Sequence, residues 1–466
     1  MTTTAQTGPK VLIVGAGLGG VTLAILLEKA GVPYEVFERA AAVKPLGSAL
    51  HIGPKLHPLF EQIGVYDEFV ALSKHLIDVR GHNEKREFIR SLDFTTAEAM
   101  SGYKEYIVAR PALYSLLLKQ IPQEKVHFSN RVLSLVQGDD GILIRTSDGS
   151  THEGDIVVGA DGAYSAIRQS LYERLHKDRL LPRSDQEQLP FSCTCIVGQT
   201  QPLDPEEFPQ LKNPLCEFLS TIATDKPYSW MTFTTAQNTI CWMVIHHLDR
   251  TTSKAAENDP SRQSENAEWG PLAALAMCQQ TRDFPIPGGT GSMVLGDLFD
   301  KTPQDLISKV MLEEKVFETW YAGRTVLLGD ACHKLNPSGG QGAISAMHDA
   351  MALANLIYTL PPAPTLDEIT QVFSEYREER YPIVREAFVS SQVLSWTMSK
   401  SLKGAIARLV ARNMPYWLWK KFLIKGAKER PQVGFLPERK NIGTEAPDVQ
   451  PSFLRAQAAR KKAVAL

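Results

Sequence analysis

The first forty residues alternate between apolar runs and glycine-rich breaks in a pattern typical of a strand, a helix and a second strand. Residues 10–15 form a short run rich in β-branched side chains, and Leu18–Ala30 carries apolar side chains at helical spacing. A second apolar run, Tyr34–Glu38, follows Gly31 and Pro33. Two strands joined by a helix in this way pair in parallel through a right-handed crossover. The pattern therefore predicts an α/β domain at the start of the chain.

The later pattern predicts that a second domain interrupts the first. Short alternating runs from residue 125 to residue 147 indicate antiparallel strands, and residues 155–160 form a further buried strand. From about residue 175 to residue 300, proline-rich turns and alternating segments replace the strand and helix pattern, which predicts an inserted antiparallel sheet. Thr325–Gly329 then resumes the buried-strand pattern, and Ala343–Leu356 predicts a long apolar helix. The first domain is thus predicted to be discontinuous in sequence.

These patterns give four predicted regions. The α/β domain comprises residues 1–174 and 301–362, and the inserted sheet domain comprises residues 175–300. Residues 363–466 form a C-terminal region with helices from Thr365 to about Lys425 and a tail that we expect to be loosely held. Within the insert, Pro227–Leu248 is long enough to cross a membrane, but it is rich in polar residues and alternates, so we interpret it as a hairpin.

Composition excludes several classes of protein. The chain has 466 residues, with 50 Lys and Arg against 52 Asp and Glu, so it lacks the basic field that binds nucleic acid. Its 43% hydrophobic and 22% charged residues are ordinary globular values. The six cysteines form no C-x-x-C pair, which argues against a zinc ribbon or a disulfide scaffold, and we predict no metal site. Few cysteines and no apolar run after a basic start predict a cytoplasmic location.

The first motif is Gly15-Ala-Gly-Leu-Gly-Gly20, which lies between the first predicted strand and helix. Gly15 permits the tight turn, Gly17 lets the backbone approach a pyrophosphate, and Gly20 permits close packing of the helix on the strand. Glu38, at the end of the second strand, is placed to accept hydrogen bonds from ribose hydroxyls. The motif predicts a dinucleotide site, and by itself it does not separate NAD from FAD.

Two further motifs follow buried strands. In Gly159-Ala-Asp-Gly162, Asp161 either meets nucleotide groups or caps the next helix. In the third motif, residues 329–343, Asp330 ends a strand and is suited to hold polyol hydroxyls, while Gly342 and Ala343 begin a helix. The partial positive charge of a helix N-terminus stabilises negative charge nearby, as the N1 and C2 carbonyl region of a reduced flavin requires. Pro337, Gly339 and Gly340 complete the glycine-rich approach to this helix.

Together the three motifs resemble the group A FAD-dependent monooxygenases, the aromatic hydroxylase and epoxidase family, over residues 10 to about 360. The Rossmann fingerprint with Glu38, the Asp-Gly motif at Asp161 and the Gly-Asp motif at Asp330 are similar to those of the family. Arg110, in Val108-Ala-Arg-Pro-Ala-Leu113, matches an arginine that the family uses near its flavin, and Pro45–His51 resembles its second flavin-contacting loop. Three positions differ from the family pattern. Ala49 and His51 replace glycines of the second loop, and Cys332 takes the middle position of the Ala-Ala-His run that usually follows the Gly-Asp motif. The predicted cofactor-binding residues are Gly15, Gly17, Gly20, Glu38, Arg39, His51, Arg110, Asp161, Asp330, Gly342 and Ala343.

The resemblance implies an activity. NADPH or NADH reduces the flavin, O2 adds at flavin C4a, and the hydroperoxide transfers one oxygen to an apolar or aromatic small molecule in a hydroxylation or an epoxidation. Cofactor chemistry of this kind leaves the protein to orient the substrate and exclude water. Tail residues Arg430–Pro437 resemble fungal secondary-metabolite members of the family.

Two alternative functions stay open. An FAD-dependent dehydrogenase or halogenase shares the nucleotide domain, although the chain has no Trp-x-Trp-x-Ile-Pro segment of the halogenase kind. The other alternative is a flavin-binding interaction protein without turnover. Such a protein is expected to carry an added domain that binds its partner. Consumption of NAD(P)H with and without candidate substrates separates the three.

The residue that acts on the substrate is not fixed by any motif. Tyr228, which begins an alternating run in the inserted domain, is predicted to face the substrate as the catalytic residue. His246 and His247 are neighbours in a strand, so at most one of them faces the flavin, and we favour a structural role. Cys193 and Cys195 are interpreted as core residues. The aromatic and basic stretch Trp417–Lys421 either packs or contacts a membrane, and we favour packing.

Overall fold

The computed structural model describes residues 8–42, 49–138, 140–187, 189, 191–248, 268–269, 271–288, 291–336, 340–397, 404, 406, 409–410 and 413–465. Several positions discussed above lie outside these residues. They are Pro45–Ser48 of the second loop, together with Pro337 and Gly339 of the third motif.

A six-stranded sheet forms the centre of the first domain. Its order is β20 (Tyr321–Ala322), β21 (Thr325–Leu327), β12 (Ile156–Gly159), β1 (Val11–Val14), β2 (Tyr34–Phe37) and β8 (Val126–His127). All neighbours are parallel except β20 and β21. Helices α1 (Leu18–Ala30) and α10 (Gly342–Ile357) pack against each other, and both contribute to the core that includes β1. The predicted strand, helix, strand unit and the α/β fold class are confirmed.

Two small sheets and several short helices complete this domain. The first sheet contains β9 (Val132–Gln137), β10 (Ile142–Thr146) and β11 (Thr151–Gly154), and the second contains β3 (Ala49–Ile52), β7 (Glu105–Ala109) and β4 (Ser73–Leu76). A two-stranded ladder joins β19 (Lys315–Val316) to β22 (His333–Lys334). The helices are α2 (His57–Ile63), α3 (Tyr66–Ala71), α4 (Ala97–Ser101), α5 (Arg110–Leu118), α6 (Ala166–Lys177) and α7 (Arg183–Gln186).

An eight-stranded sheet forms the second layer of the protein. Its order is β17 (Glu268–Trp269), β18 (Ser308–Glu313), β13 (Phe191–Gln199), β16 (Ile240–His247), β15 (Tyr228–Thr234), β14 (Phe218–Ile222), β5 (Asp78–His82) and β6 (Phe88–Asp93). The hairpin of β15 and β16 is antiparallel, as predicted. Strands β5, β6 and β18 come from outside residues 175–300, because β14 and β13 offer edges to which these strands pair. The sheet is therefore larger than the inserted segment.

The two faces of this sheet have different neighbours. On one face, which we call the outer face, Trp230, Trp242 and Val244 form a core that includes residues of α8 (Pro271–Thr281) and α9 (Leu295–Phe299). On the other, which we call the inner face, Phe233 and Cys241 pack against residues of β4 and β7 in the first domain. Because side chains alternate along a strand, each residue of β15 and β16 belongs to one of these two faces.

The C-terminal region contains α11 (Leu366–Thr397), α12 (Tyr416–Lys428) and α13 (Pro451–Ala465). The expectation that the tail is loosely held is wrong. The Gln62 side chain accepts a hydrogen bond from the Val433 nitrogen at 2.9 Å and donates one to the Val433 oxygen at 3.0 Å. Asn355 accepts a hydrogen bond from the Gly434 nitrogen at 2.8 Å. Buried amide side chains of the first domain thus satisfy the backbone of a segment that contains little regular structure.

Within the described ranges, every helix is too short or too polar to cross a membrane.

Candidate functional site

The glycine turn between β1 and α1 shows two different requirements for glycine. Gly15 has a φ of +107°, and a Cβ added there would lie 2.4 Å from the Ala160 oxygen. A Cβ on Gly20 would lie 2.0 Å from the Gly15 oxygen. By contrast, a Cβ on Gly17 would have no atom within 4 Å. Gly15 and Gly20 therefore allow close packing, whereas Gly17 borders open space at the N-terminus of α1.

Glu38 is held against this turn. Its carboxylate accepts hydrogen bonds from the Ala16 nitrogen at 2.9 Å and from the Ala40 nitrogen at 2.9 Å. These bonds fix the end of β2 beside the N-terminus of α1, where a dinucleotide ribose lies in folds of this kind. Arg39, the next residue, is exposed.

Tyr114 is a residue of this region that sequence reasoning missed. It lies on α5 one turn after Arg110, and its buried hydroxyl has no hydrogen-bond partner among the described residues. Burial raises the pKa of Tyr114, and the negative charge of Glu38 adds to that rise. An unpartnered buried hydroxyl is costly, so it indicates a missing hydrogen-bonding group. Its sequence position, four residues after Arg110 on a helix, was the available signal.

The third motif leads into helix α10, whose N-terminus also borders open space. Gly342 is the first residue of α10, and a Cβ added to it would have no atom within 4 Å. Among the described residues, no side chain caps this helix and none caps α1. Ala343 follows in the first turn and is half-buried. Two uncapped helix N-termini that face open space form a cradle for negatively charged groups.

Asp330 and Arg110 are oppositely charged groups of this region. The Asp330 side chain is 41% exposed, and its carboxylate lies 3.9 Å from the Lys334 ammonium. Burial lowers the pKa of Arg110, and the negative charge of Asp330 opposes that shift. Arg110 begins α5 directly after β7, as its sequence context predicted. Carboxylates suited to a polyol and a ribose, and helix N-termini suited to an anion, therefore occur in one chain, and these residues fit FAD.

Asp161 and His51 have protein partners. The Asp161 carboxylate accepts hydrogen bonds from the Ala166 nitrogen at 2.7 Å and from the Ile167 nitrogen at 3.2 Å, so it caps α6. Burial raises the pKa of Asp161, and these backbone donors oppose the rise. His51, on β3, forms a 2.9 Å hydrogen bond with Glu105. Contacts of Asp161 and His51 with a cofactor remain predictions.

A buried ionic cluster supports the Gly-Asp motif. Asp349 on α10 lies 2.5 Å from the His333 ring and 2.8 Å from the Arg380 guanidinium, and it also accepts a hydrogen bond from the Gly329 nitrogen at 3.2 Å. Burial opposes ionisation, yet the positive charges of His333 and Arg380 lower the pKa of Asp349 to about 2. Arg380 comes from α11, a contribution that its sequence position did not reveal.

A second set of contacts connects the tail to the same helix. Lys55 donates hydrogen bonds to Glu429 at 2.5 Å and to Gln341, the residue before α10, at 3.3 Å. His348 on α10 contacts the Lys55 oxygen at 3.1 Å. Burial lowers the pKa of His348 to about 4, so this histidine is neutral at physiological pH. The C-terminal tail therefore helps to position the segment that enters α10.

Two groups of side chains bring potential metal ligands together in the described ranges. One group contains Glu35, His127 and His152, and the other contains Cys332, His333 and Asp349. Lys10 lies 2.5 Å from Glu35, so a cation already neutralises that carboxylate. Arg380 does the same for Asp349. The absence of a metal site stays a prediction, and both groups are explained as ion-pair clusters.

Tyr228 does not face the first domain, so its predicted placement is corrected. Its ring stacks on His246 at 4.4 Å and meets the Phe284 ring edge-on at 5.2 Å. Both contacts belong to the outer face, where Trp230 also packs on Phe284 at 4.9 Å. The alternation in the sequence was correct, but the layer that covers each face is set by residues remote in sequence.

The inner face carries a polar group at the corresponding place. His247 and Ser229 lie on the strands that carry Tyr228 and His246, at positions that point to the opposite face. The His247 ring lies 3.0 Å from the Ser229 hydroxyl and 3.4 Å from the Cys193 sulfur. Burial lowers the pKa of His247 to about 4, helped by any positive charge on His246. The neighbouring Met231 and Met243 are half-buried.

Comparison with known proteins decides the family. A family profile described as "FAD binding domain" matches residues 9–182 and 296–389, which is more than half of the chain. The chain belongs to this family of FAD-binding proteins. The FAD-dependent monooxygenase paxM of Penicillium paxilli is 30% identical over 88% of this chain and 82% of its own length. The FAD-dependent monooxygenase atmM of Aspergillus flavus is 27% identical over 92% and 87%. The protein is an FAD-dependent monooxygenase.

Solved structures of the family share the fold. Klebsiella pneumoniae HpxO complexed with FAD and uric acid aligns with a TM-score of 0.67 at 18% identity, covering 90% of this chain and 95% of HpxO. FqzB aligns with a TM-score of 0.67 at 18% identity, covering 95% of this chain and 99% of its own. At this identity the likeness concerns the arrangement of the two sheets and the helices.

Proposed function

We propose that this monooxygenase uses NADPH or NADH to reduce its FAD and inserts one atom of O2 into an apolar or aromatic small molecule. The substrate would lie between the two helix N-termini and the inner face of the eight-stranded sheet. The observation that carries this proposal is the composition of the inner face, where half-buried Met231, Met243 and Val310 belong to one apolar cluster and His247 is hydrogen-bonded to Ser229. An apolar pocket with few polar groups is typical of a small-molecule site.

The cofactor contacts follow from the open cradle. Gly17 at the N-terminus of α1 would meet the pyrophosphate, with Glu38 on the ribose and Asp330 on the ribityl chain. The N-terminus of α10, at Gly342 and Ala343, would lie beside the pyrimidine side of the flavin ring. Bound FAD supplies the redox and oxygen chemistry. Arg39, His51, Arg110 and Asp161, with the new candidate Tyr114, would supply the remaining contacts with the cofactor.

The protein itself would orient the substrate and exclude water. The inner face offers apolar side chains that keep the reacting centre dry. His247 is neutral, and its ring has one nitrogen at the Ser229 hydroxyl and the other at the Cys193 thiol. A polar group of the substrate would replace the weaker thiol contact, while Ser229 fixes the ring. A neutral hydrogen-bonding group orients an apolar substrate without the cost of burying a charge.

Oxygen-labelling separates this function from its alternatives. Purified protein is incubated with NADPH or NADH, a panel of apolar aromatic and terpenoid compounds, and 18O2. The proposal predicts faster NAD(P)H oxidation with a suitable compound and one labelled oxygen atom in the product, as a hydroxyl or an epoxide. A dehydrogenase gives an unlabelled product, a halogenase requires halide, and a flavin-binding interaction protein gives no turnover. Any of these three results contradicts the proposal.

We also propose a cytoplasmic location. All six cysteines, at positions 193, 195, 216, 241, 278 and 332, are free and buried. Free buried cysteines are typical of a reducing compartment. Localisation of a fluorescent fusion tests this expectation.

A further inference from the structure

Helix α12 is firmly attached through one face. Leu423 and Ala427 are buried and belong to a small core with Ala97 and Met100 of α4. The Trp419 indole nitrogen donates a hydrogen bond of 2.7 Å to the Asp93 oxygen. The orientation of α12 about its axis is therefore fixed by packing and by a directional bond.

The opposite face of α12 is exposed and carries large apolar side chains beside lysines. Trp417 is 58% exposed and Phe422 is 59% exposed, and Leu418 lies between them. Of the 22 exposed large apolar side chains in the described part of the chain, eight fall within residues 406–422. Isolated exposed apolar residues are ordinary, but a cluster of aromatic residues on one face marks an interaction surface. The expectation that this stretch packs is thus correct for Trp419 and wrong for Trp417.

The same helix carries only positive charge. Its 13 residues include Lys420, Lys421, Lys425 and Lys428 and no acidic residue, in a chain whose net charge is −2. Lys421 lies over the Trp417 ring, 5.1 Å from its centre. Lys425 pairs with Glu386 of α11 and Lys428 lies 4.0 Å from Glu445, so Lys420 and Lys421 give the helix its net positive charge.

We propose that α12 binds the surface of an anionic membrane and lies in the plane of the headgroups. Aromatic and aliphatic side chains that enter the boundary of the acyl chains, flanked by lysines that meet anionic headgroups, are the features of an interfacial helix. Protein interfaces are depleted in lysine, which disfavours a protein partner here. At about 20 Å, a helix of 13 residues is shorter than the hydrocarbon core of about 30 Å, so the attachment is to the surface.

The position of α12 gives this attachment a consequence. The Phe94 ring lies 5.6 Å from the Trp419 ring and 5.3 Å from the His51 ring. A membrane-bound α12 would therefore hold β3, which carries the predicted cofactor-binding residue His51, close to the lipid in which apolar substrates dissolve. This consequence rests on the proposed function, whereas membrane binding itself does not.

Vesicle sedimentation with the full chain tests the proposal. Vesicles of phosphatidylcholine are compared with vesicles that also contain phosphatidylserine, at low and high salt. We expect binding only to the anionic vesicles and a loss at high salt. Phe422→Ser should lower the partition coefficient about tenfold. Phe88→Ser is the matched control, because Phe88 is 61% exposed on β6 and should leave binding unchanged.

Charge and depth provide independent measurements. Lys420→Gln with Lys421→Gln should weaken binding to anionic vesicles about 30-fold. Brominated lipids should quench fluorescence of the wild type, and Trp417→Phe should remove most of that quenching. Failure of the wild type to sediment with anionic vesicles, or equal effects of Phe422→Ser and Phe88→Ser, overturns the proposal. So does a vesicle-free dimer that Phe422→Ser converts to a monomer, since the face would then bind a second copy. None of these results depends on oxygenase activity.

Discussion

The Asp349 carboxylate accepts a hydrogen bond from the Gly329 backbone nitrogen at 3.2 Å. This bond connects helix α10 to the residue that precedes Asp330, so the two parts of the third motif hold each other in place. Gly329 has a φ of +61°, a left-handed conformation that glycine adopts without strain. The predicted cofactor-binding residues of the motif are thereby positioned by buried groups.

Asp349→Asn should destabilise the protein by about 3–5 kcal/mol, because Arg380 loses its buried counter-charge. Because the pKa of Asp349 is lowered in the folded state, its ion pairs contribute fully to the free energy of unfolding above the ordinary pKa of aspartate. This contribution is lost as the pH falls from about 4 towards 2. Urea unfolding at several pH values should show this loss of unfolding free energy at acidic pH in the wild type and not in the variant. Asp367→Asn, at an exposed position of α11, is the control, and an equal loss there contradicts the assignment.

Asp330→Ala should lower the affinity for FAD about 10-fold to 150-fold, since it removes a charge-assisted hydrogen bond. The partly exposed carboxylate fills no core position, so the thermal stability of the FAD-free protein should stay the same. Fluorescence titration with FAD and thermal melting measure the two quantities. If the variant unfolds under conditions where the FAD-free wild type is stable, Asp330 is a structural residue instead.

Gly17→Ala and Gly15→Ala form a matched pair within one turn. A methyl group on Gly17 meets no protein atom, so the variant should fold normally and bind FAD about tenfold or more weakly. A methyl group on Gly15 meets the Ala160 oxygen in a left-handed conformation, so that variant should be destabilised even without FAD. Thermal melting with and without FAD separates them. If Gly17→Ala binds FAD with the wild-type affinity, the pyrophosphate does not lie against Gly17.

Local patterns were sufficient for the nucleotide domain. The glycine turn, the buried strands and the acidic residue at Glu38 lie close together in sequence, and each has a physical reason to occur at its spacing. The helix predicted at Leu18–Ala30 has the bounds that were predicted. The hairpin at Tyr228 and His246 is likewise a local feature, in which alternation and polar content are both visible in the sequence.

Long-range packing decided what the sequence did not reveal. Alternation placed Tyr228 and Trp230 on one face, but Phe284, from a remote segment, makes that face the outer one. The tail was expected to be loose because it lacks periodicity, yet Val433 pairs with Gln62 across 371 positions. Arg380 lies on an ordinary amphipathic helix, and its partner Asp349 is known only once the helices are packed. Such pairings leave no local pattern.

His247→Asn should lower kcat by about tenfold or more while FAD content stays at the wild-type level, because the shorter amide cannot place a hydrogen-bonding group where the imidazole Nε2 meets Ser229. His246→Asn and Tyr228→Phe, on the outer face, should change kcat by less than about twofold. The lowered pKa of His247, about 4, predicts that it stays neutral from pH 6 to 8, so its titration should not appear in the activity profile there. An equal loss of kcat in the three variants contradicts this assignment. So does a change of wild-type activity between pH 6 and 8 that is absent from His247→Asn.

The structure of the protein bound to FAD tests the account most directly. We expect the pyrophosphate at the Gly17 nitrogen, the ribityl chain at the Asp330 carboxylate, and the flavin ring between the N-terminus of α10 and the inner face that carries His247. A flavin ring on the face that carries Tyr228, or a pyrophosphate away from the N-terminus of α1, would contradict it.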